Sequence, residues 1–367
     1  MKHDKLFALE SLRGIAAISV AFFHFNIGSH FNNDFVSNAW LMVDFFFVLS
    51  GFVIALNYVD RLKTFRDVSK FQIKRFLRLY PLHFLMLILF LSTEVAKYVA
   101  ESNFGMMQNS RAFSENNLTA FMANLFLIHN WSLDQLTFNY VSWSISAEFV
   151  TYALFAVLIL ITRQNKTILL IILIASITLF GVTLNEIGMG TGNRTGGPIR
   201  SLYSFSIGAL VYLSFRHFYD LGISIRSFIP LSLIASCVYV VSEHGAKDFE
   251  FIVFIPLLFG VTILSIALNK RENYLDKILN MNWLVYLGSI SYGIYMIHAF
   301  VWWVIIRILR FVFKIPTMTD EDGTTRILVE NTVNADVISI IGISIVVLLA
   351  HVSYRFFESR FTGNYVK

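Results

Sequence analysis

Charge is scarce in this sequence. Asp, Glu, Lys and Arg make up 14% of its 367 residues, where a soluble domain carries roughly a quarter. So few charges cannot clothe a water-exposed surface on all sides. Cysteine is nearly absent as well. Cys237 stands alone in an apolar stretch, which excludes an intrachain disulfide and a cysteine metal cluster and leaves it the part of a small buried hydrophobe. No repeat, linker or low-complexity segment breaks the chain, so 1–367 reads as a single domain. The first apolar block contains Arg13 and His24, and no small-x-small site precedes the next block. A cleaved signal peptide is thereby excluded, and the block reads as the first helix of the mature protein.

What the chain has in place of charge is long apolar runs. Hydrophobic residues reach 56%, and mean hydropathy is +0.64. Runs such as 168–179, 251–268 and 337–350 sit near the ~20 residues that cross a hydrocarbon core of ~30 Å. The expected fold is an all-α polytopic membrane bundle of about ten transmembrane helices. The candidate spans are 8–28, 39–59, 79–99, 143–162, 167–184, 199–215, 228–242, 251–268, 283–306 and 335–355. Segment 118–131 is apolar but short, which suits a re-entrant or interfacial piece. With the N-terminus in the cytoplasm, the second loop returns Arg61, Lys63, Arg66, Lys70, Lys74, Arg75 and Arg78 to that side, while loops 29–38 and 100–117 hold only Arg111. Leaving 118–131 uncrossed keeps the later Lys and Arg biased inward as well. Arg194, Arg200, Lys247, Arg307, Arg310, Lys314 and Arg326 then fall outside, and both termini are cytoplasmic. The net charge of +5 is thus a topology signal, not a sign of nucleic-acid binding.

Ionisable side chains inside such spans cost at least ~2.5 kcal/mol each on insertion scales, so they are functional candidates. His24, Asp44, Glu148 and His298 fall at one expected depth. Each taken alone is equally a residue satisfied by a bundle hydrogen bond. Arg13 and His24, eleven residues apart, lie on one helical stripe about 16 Å long. Arg75 and Arg78 share a face at i, i+3, and guanidinium groups match phosphate oxygens bidentately. A ligand with phosphates at the cytoplasmic face and a reactive end deep in the membrane would fit, which is the shape of coenzyme A.

The motifs carrying these residues resemble one family. LESLRGIAAISVAFFHF, with Arg13 and His24, is similar to the first helix of the acyltransferase-3 family of integral membrane O-acyltransferases. VDFFFVLSGFVIA (Asp44, Phe47, Ser50, Gly51) resembles its second-helix signature. KRFLRLYPL (Arg75, Arg78, Pro81), WSISAEFVTY (Trp143, Ser144, Glu148, Tyr152), SYGIYMIHAF (Ser291, Tyr292, Tyr295, His298) and YRFFESRF (Glu358) follow in the family's order, so the likeness runs from residue 9 to about 361. Ala299 and Ser359 stand where the family often has Pro, and Ile297 where it often has Trp.

The resemblance implies O-acylation, usually O-acetylation, of a carbohydrate acceptor such as O-antigen or exopolysaccharide, free or lipid-linked. Acetyl-CoA would be the cytoplasmic donor and no metal would be needed. A standalone form without a fused hydrolase-like domain, in the bacterial inner membrane and in contact with lipid, is expected; a homo-oligomer is compatible with it. The catalytic set is then His24 as general base, with Glu148, which recurs beside the Trp-Ser segment in the family, or Asp44 orienting its other nitrogen. Arg13, Arg75 and Arg78 hold the donor. Ser50, Trp143, Tyr295 and His298 are substrate or oxyanion candidates. Direct transfer and an acyl-His24 intermediate are both open. The competing class is a secondary transporter or proton-coupled permease, against which stand the absence of a repeat and the cytoplasmic arginines. A non-catalytic scaffold leaves the buried ionisable residues without a use.

Overall fold

The computed structural model describes residues 7–25, 27–105, 110–189, 195–226, 228–244, 249–269, 274–319, 325–327, 329 and 331–362. Each of the ten expected spans contains a helix: α1 Phe7–Phe23, α2 Met42–Tyr58, α3 Phe65–Phe104, α4 Trp143–Ile161, α5 Lys166–Ile187, α6 Gly197–Asp220, α7 Phe228–His244, α8 Ile255–Ala267, α9 Ser291–Phe311 and α10 Thr332–Ser353. Six helical runs are long and apolar enough to cross a membrane by length and composition. They are Ala39–Tyr58, Phe65–Phe104, Tyr140–Ile161, Lys166–Ile187, Ser291–Phe311 and Thr332–Glu358. α7 and α8 are apolar but shorter, and α1 has 17 residues. The chain is therefore a mostly helical integral membrane protein. One two-stranded antiparallel hairpin, β1 Thr317–Thr319 with β2 Thr325–Ile327, departs from the all-α expectation within segment 315–333.

Helix α3 corrects the sequence reading of its region. Residues 65–78, assigned to a loop because of their charge, are helical and continuous with the span, giving a 40-residue helix of about 60 Å. A capping box starts it: the Thr64 hydroxyl accepts from the Asp67 N–H, and Asp67 accepts from the Thr64 N–H. This satisfies two donors that a charged first turn would otherwise leave to water. Arg75 and Arg78 accordingly sit inside a rigid helix. The span 283–306 is likewise two helices, Asn282–Ser289 and α9, broken at Ile290.

Segment 118–131 forms no continuous helix. Leu118–Leu125 and His129–Ser132 are separated by Leu127, whose φ is 57°, and eight residues rise only about 12 Å. Irregular backbone within a membrane needs protein partners for its polar groups. Side chains provide them. His83 Nε2 lies 2.9 Å from Asn124 O, and His129 Nε2 lies 3.1 Å from Ser142 O. The Ser146 hydroxyl donates to Leu127 O at 2.8 Å, and Asn124 Nδ2 to Ala120 O and Thr137 Oγ1.

The buried apolar residues form one cluster reached by all ten helices. Two crossings depend on missing side chains. A Cβ on Gly51 would strike the Phe205 carbonyl, and one on Gly208 the Val48 carbonyl, so α2 and α6 meet backbone to backbone. Gly14 and Gly288 bring α1 equally close to Asn282–Ser289. Without a hydrophobic drive between helices in lipid, such small-residue contacts supply packing energy.

Candidate active site

Five helices enclose one pocket, open at its mouth. α1 contributes Arg13, α2 Phe46 and Ser50, α3 Arg75 and Arg78, α4 Ser144, Glu148 and Tyr152, and α9 Ser291, Tyr292 and Tyr295. The charged members have unequal commitments. Arg13 Nε donates to Ser291 Oγ at 3.0 Å, and its Nη1 to Glu10 at 3.1 Å. The Arg75 guanidinium lies over the Tyr58 and Phe71 rings at 5.6 and 5.7 Å, a cation–π cradle. Its Nη2 reaches Tyr58 Oη at 3.4 Å, while its Nε is buried with no acceptor. Among the described residues Arg78 has no hydrogen bond or ion pair, so two guanidinium groups keep donors for a ligand. Those donors are what phosphate oxygens require.

Deeper in the pocket the hydroxyls form two closed sets. Tyr152 Oη donates to Glu148 Oε1 at 2.5 Å, so Ser50, 2.8 Å away, must be the donor to Tyr152. Tyr295 Oη donates to Val141 O at 2.9 Å and accepts from Ser144 at 2.9 Å. The protons of Ser50 and Tyr295, two of the oxyanion candidates, are thus engaged within the protein in this conformation. Ser144, Tyr152, Ser291 and Tyr292, absent from the expected site, line the pocket beside them; their only sequence signal was membership of the quoted motifs.

His24 and His298 lie outside the pocket lining, beyond Tyr295, whose ring centroid is 5.8 Å from that of His298. α1 and α9 bring the two imidazoles together. The Trp302 indole N–H donates to Ala21 O at 2.8 Å, and Phe25 stacks on Trp302 at 4.0 Å. His24 Nδ1 then sits 3.2 Å from His298 Nε2 and 3.0 Å from Val20 O, and His298 Nδ1 sits 3.2 Å from Ile294 O. The ring of Tyr140 is 5.2 Å from that of His24.

Neither carboxylate reaches His24. Asp44 is fully buried and paired with Arg200, Oδ2 to Nη2 at 2.5 Å, and also accepts from Ser204 at 3.1 Å. The expected Asp44–His24 contact is therefore replaced by an ion pair. Arg200, placed outside on the sequence, is instead 2% exposed within α6 and lies between the Trp40 and Trp143 rings at 5.0 and 5.3 Å. Trp143 packs on this pair and on the pocket residue Phe47, and does not itself line the pocket. Glu148 is taken by Tyr152. Of the other charges expected outside, Arg194 and Lys247 lie beyond the described residues. Among the described residues no group of three His, Cys, Asp or Glu comes together as a metal site would need.

An acyltransferase domain family matches residues 6–362 of the chain. Among curated proteins, an acetyltransferase-named protein of Acidianus two-tailed virus is 27% identical over 302 residues, 79% of this chain and 81% of that protein. The peptidoglycan O-acetyltransferase OatA of Listeria monocytogenes is 23% identical over 325 residues, 79% of this chain and 48% of its own length. Protein 2 in the picA locus of Rhizobium radiobacter is 36% identical over 97 residues, 26% of this chain and 49% of that protein. No solved structure matches.

Proposed function

The chain belongs to this acyltransferase family, and on that premise we propose that it moves an acyl group, acetyl by default, from cytoplasmic acetyl-CoA to a hydroxyl of a carbohydrate acceptor. The observation that carries the donor is the convergence of Arg13, Arg75 and Arg78 on one pocket, with Arg75 Nε buried and lacking an acceptor. Adding a phosphate oxygen there satisfies a buried donor that otherwise costs about 1–3 kcal/mol. The tyrosine- and serine-lined depth of the pocket suits a thin pantetheine arm with its amides.

His24 is the proposed general base. It removes the proton from the acceptor hydroxyl as that oxygen bonds to the thioester carbonyl carbon; the C–S bond breaks, and the proton passes on to the leaving thiolate. Tyr295 lines the donor pocket, and its ring lies 5.8 Å from that of His298, the neighbour of His24; in this proposal it swings aside for donor and imidazole to meet. Glu148 acts through Tyr152 and Ser50 to shape the pocket beside Arg75. The ten helices are proposed to cross the membrane as a single domain in the bacterial inner membrane, with both termini cytoplasmic. Maleimide labelling of cysteines placed at each end, on a background lacking Cys237, reads that topology directly.

The decisive experiment uses purified protein in lipid. Acetyl-CoA binding measured by titration should be lost in Arg75→Met/Arg78→Met, and His24→Ala should bind donor but transfer nothing to glycan. Wild-type turnover by His24→Ala sinks the base assignment. Solute flux in proteoliposomes without donor binding would favour a transporter. Acyl-enzyme isolated after incubation with donor alone would assign the covalent route.

A further inference from the structure

The two imidazoles beyond Tyr295 constrain each other's protons. Backbone carbonyls only accept hydrogen bonds. His298 Nδ1, 3.2 Å from Ile294 O, therefore carries its hydrogen, and a neutral His298 has a bare Nε2. That lone pair faces His24 Nδ1 at 3.2 Å, which also faces Val20 O at 3.0 Å. Two acceptors converge on one ring nitrogen, so His24 Nδ1 carries its hydrogen and shares it between them. The remaining nitrogen of a neutral His24, Nε2, is then the bare one. The opposite tautomers would set His24 Nδ1 lone pair against Val20 O, and His298 Nδ1 lone pair against Ile294 O. Two acceptor–acceptor contacts at hydrogen-bond distance would set lone pairs against one another inside the helix bundle, where an unpaired polar group is costly.

We infer that His298 is the positioning residue of His24: by accepting its Nδ1 proton it fixes the tautomer and ring orientation that make Nε2 the reactive nitrogen. This deepens the proposed function and rests on His24 being its base. His298 takes the place a carboxylate holds in a triad. Its advantage is charge. Both carboxylates expected beside His24 are engaged elsewhere, Asp44 with Arg200 and Glu148 with Tyr152. A neutral imidazole can accept the same hydrogen bond without placing a permanent anion in hydrocarbon. When His24 is protonated at Nε2, its Nδ1–H keeps both acceptors, so the transient cation is held by Val20 O and His298 as it forms. His298 is fully buried and never touches substrate in this scheme.

The test compares His298→Met, apolar and of similar reach, with His298→Gln, whose Oε1 can still accept. Steady-state kcat and acetyl-CoA KM are measured on protein that retains donor binding. His298→Met should lose about 10²-fold or more in kcat, the scale of a positioned base, with KM unchanged. His298→Gln should recover at least tenfold of that loss. Solid-state NMR of ¹⁵N-histidine protein in lipid, with His24→Ala to assign the signal, should show an unprotonated Nε2 on His24 that becomes a tautomer mixture in His298→Met. Wild-type kcat in His298→Met, or donor-binding His298→Gln as slow as His298→Met, overturns the inference. A protonated Nε2 on His24 in the wild type does so independently of any assay. Turnover in His24→Ala would instead overturn the underlying base assignment, so the two failures are distinguishable.

Discussion

Asp44 is the residue whose role changes most between sequence and structure, and the change can be measured. Its carboxylate and the Arg200 guanidinium are 0% and 2% exposed, with contacts of 2.5 and 3.3 Å. At an effective dielectric near 20 such a pair attracts by about 4 kcal/mol or more. Desolvation offsets much of that, so replacing both partners with apolar groups is often neutral, whereas removing one costs about 3–5 kcal/mol. In Asp44→Leu, Arg200 would keep the faces of Trp40 and Trp143 but lose the Asp44 carboxylate. In Arg200→Met, Asp44 would keep only the Ser204 hydroxyl. Taking about 2 °C per kcal/mol for a large chain, each single variant should fall by roughly 6 °C or more in Tm in detergent. The double variant Asp44→Leu/Arg200→Met should return most of that, with a coupling of about 2 kcal/mol or more in the mutant cycle, and should turn over. Additive losses would refute the ion-pair argument. A double variant as stable as the wild type and inactive would return Asp44 to the catalytic set.

Arg75→Met should weaken acetyl-CoA about 10- to 150-fold by titration calorimetry, the range of one or more charge-assisted hydrogen bonds at 1.5–3 kcal/mol, while leaving Tm near that of the wild type. Gly208→Val should abolish folded protein in size-exclusion profiles, because its side chain would enter the backbone of α2 at Val48; Gly208→Val with normal yield and Tm would refute the close crossing.

The helices were legible because hydropathy acts over whole segments, and each expected span contains a helix. The boundaries that failed did so where local chemistry overrode hydropathy. Thr64 and Asp67 nucleate a helix through a stretch too charged to read as one, and Ile290 interrupts a run apolar enough to read as continuous. Within the site, Arg13, Arg75, Arg78, Ser50, Glu148 and Tyr295 could be grouped from spacing and motif, and they share one pocket. The partners of His24 could not. Helical stripes give the depth of a residue but not the rotation of its helix against neighbours, and that rotation decides whether Asp44 meets an imidazole or an arginine. Arg200 gave no signal beyond a cation at the head of an apolar run, which the positive-inside rule assigns to a loop.

Buried polar residues in this protein divide by what they are bonded to. His83, Asn124, Ser146 and His129 are each hydrogen-bonded to a carbonyl of the irregular 118–142 region, although His83 Nδ1, Asn124 Oδ1 and His129 Nδ1 have no partner among the described residues, and Asp44 and Arg200 are bonded to each other. These groups hold non-helical backbone and helix crossings, a task that water performs at the surface of a soluble protein. Arg75 Nε and Arg78 are left with donors and no acceptor, and the His24–His298 pair is left with one bare nitrogen. Rarity in a hydrophobic span therefore marks a polar residue as needing an explanation, but partnership decides which one. Position narrows the reacting groups further, from four scattered ionisable residues to one arginine-lined pocket and one histidine pair, with Tyr295 lining the pocket and 5.8 Å from the ring of His298.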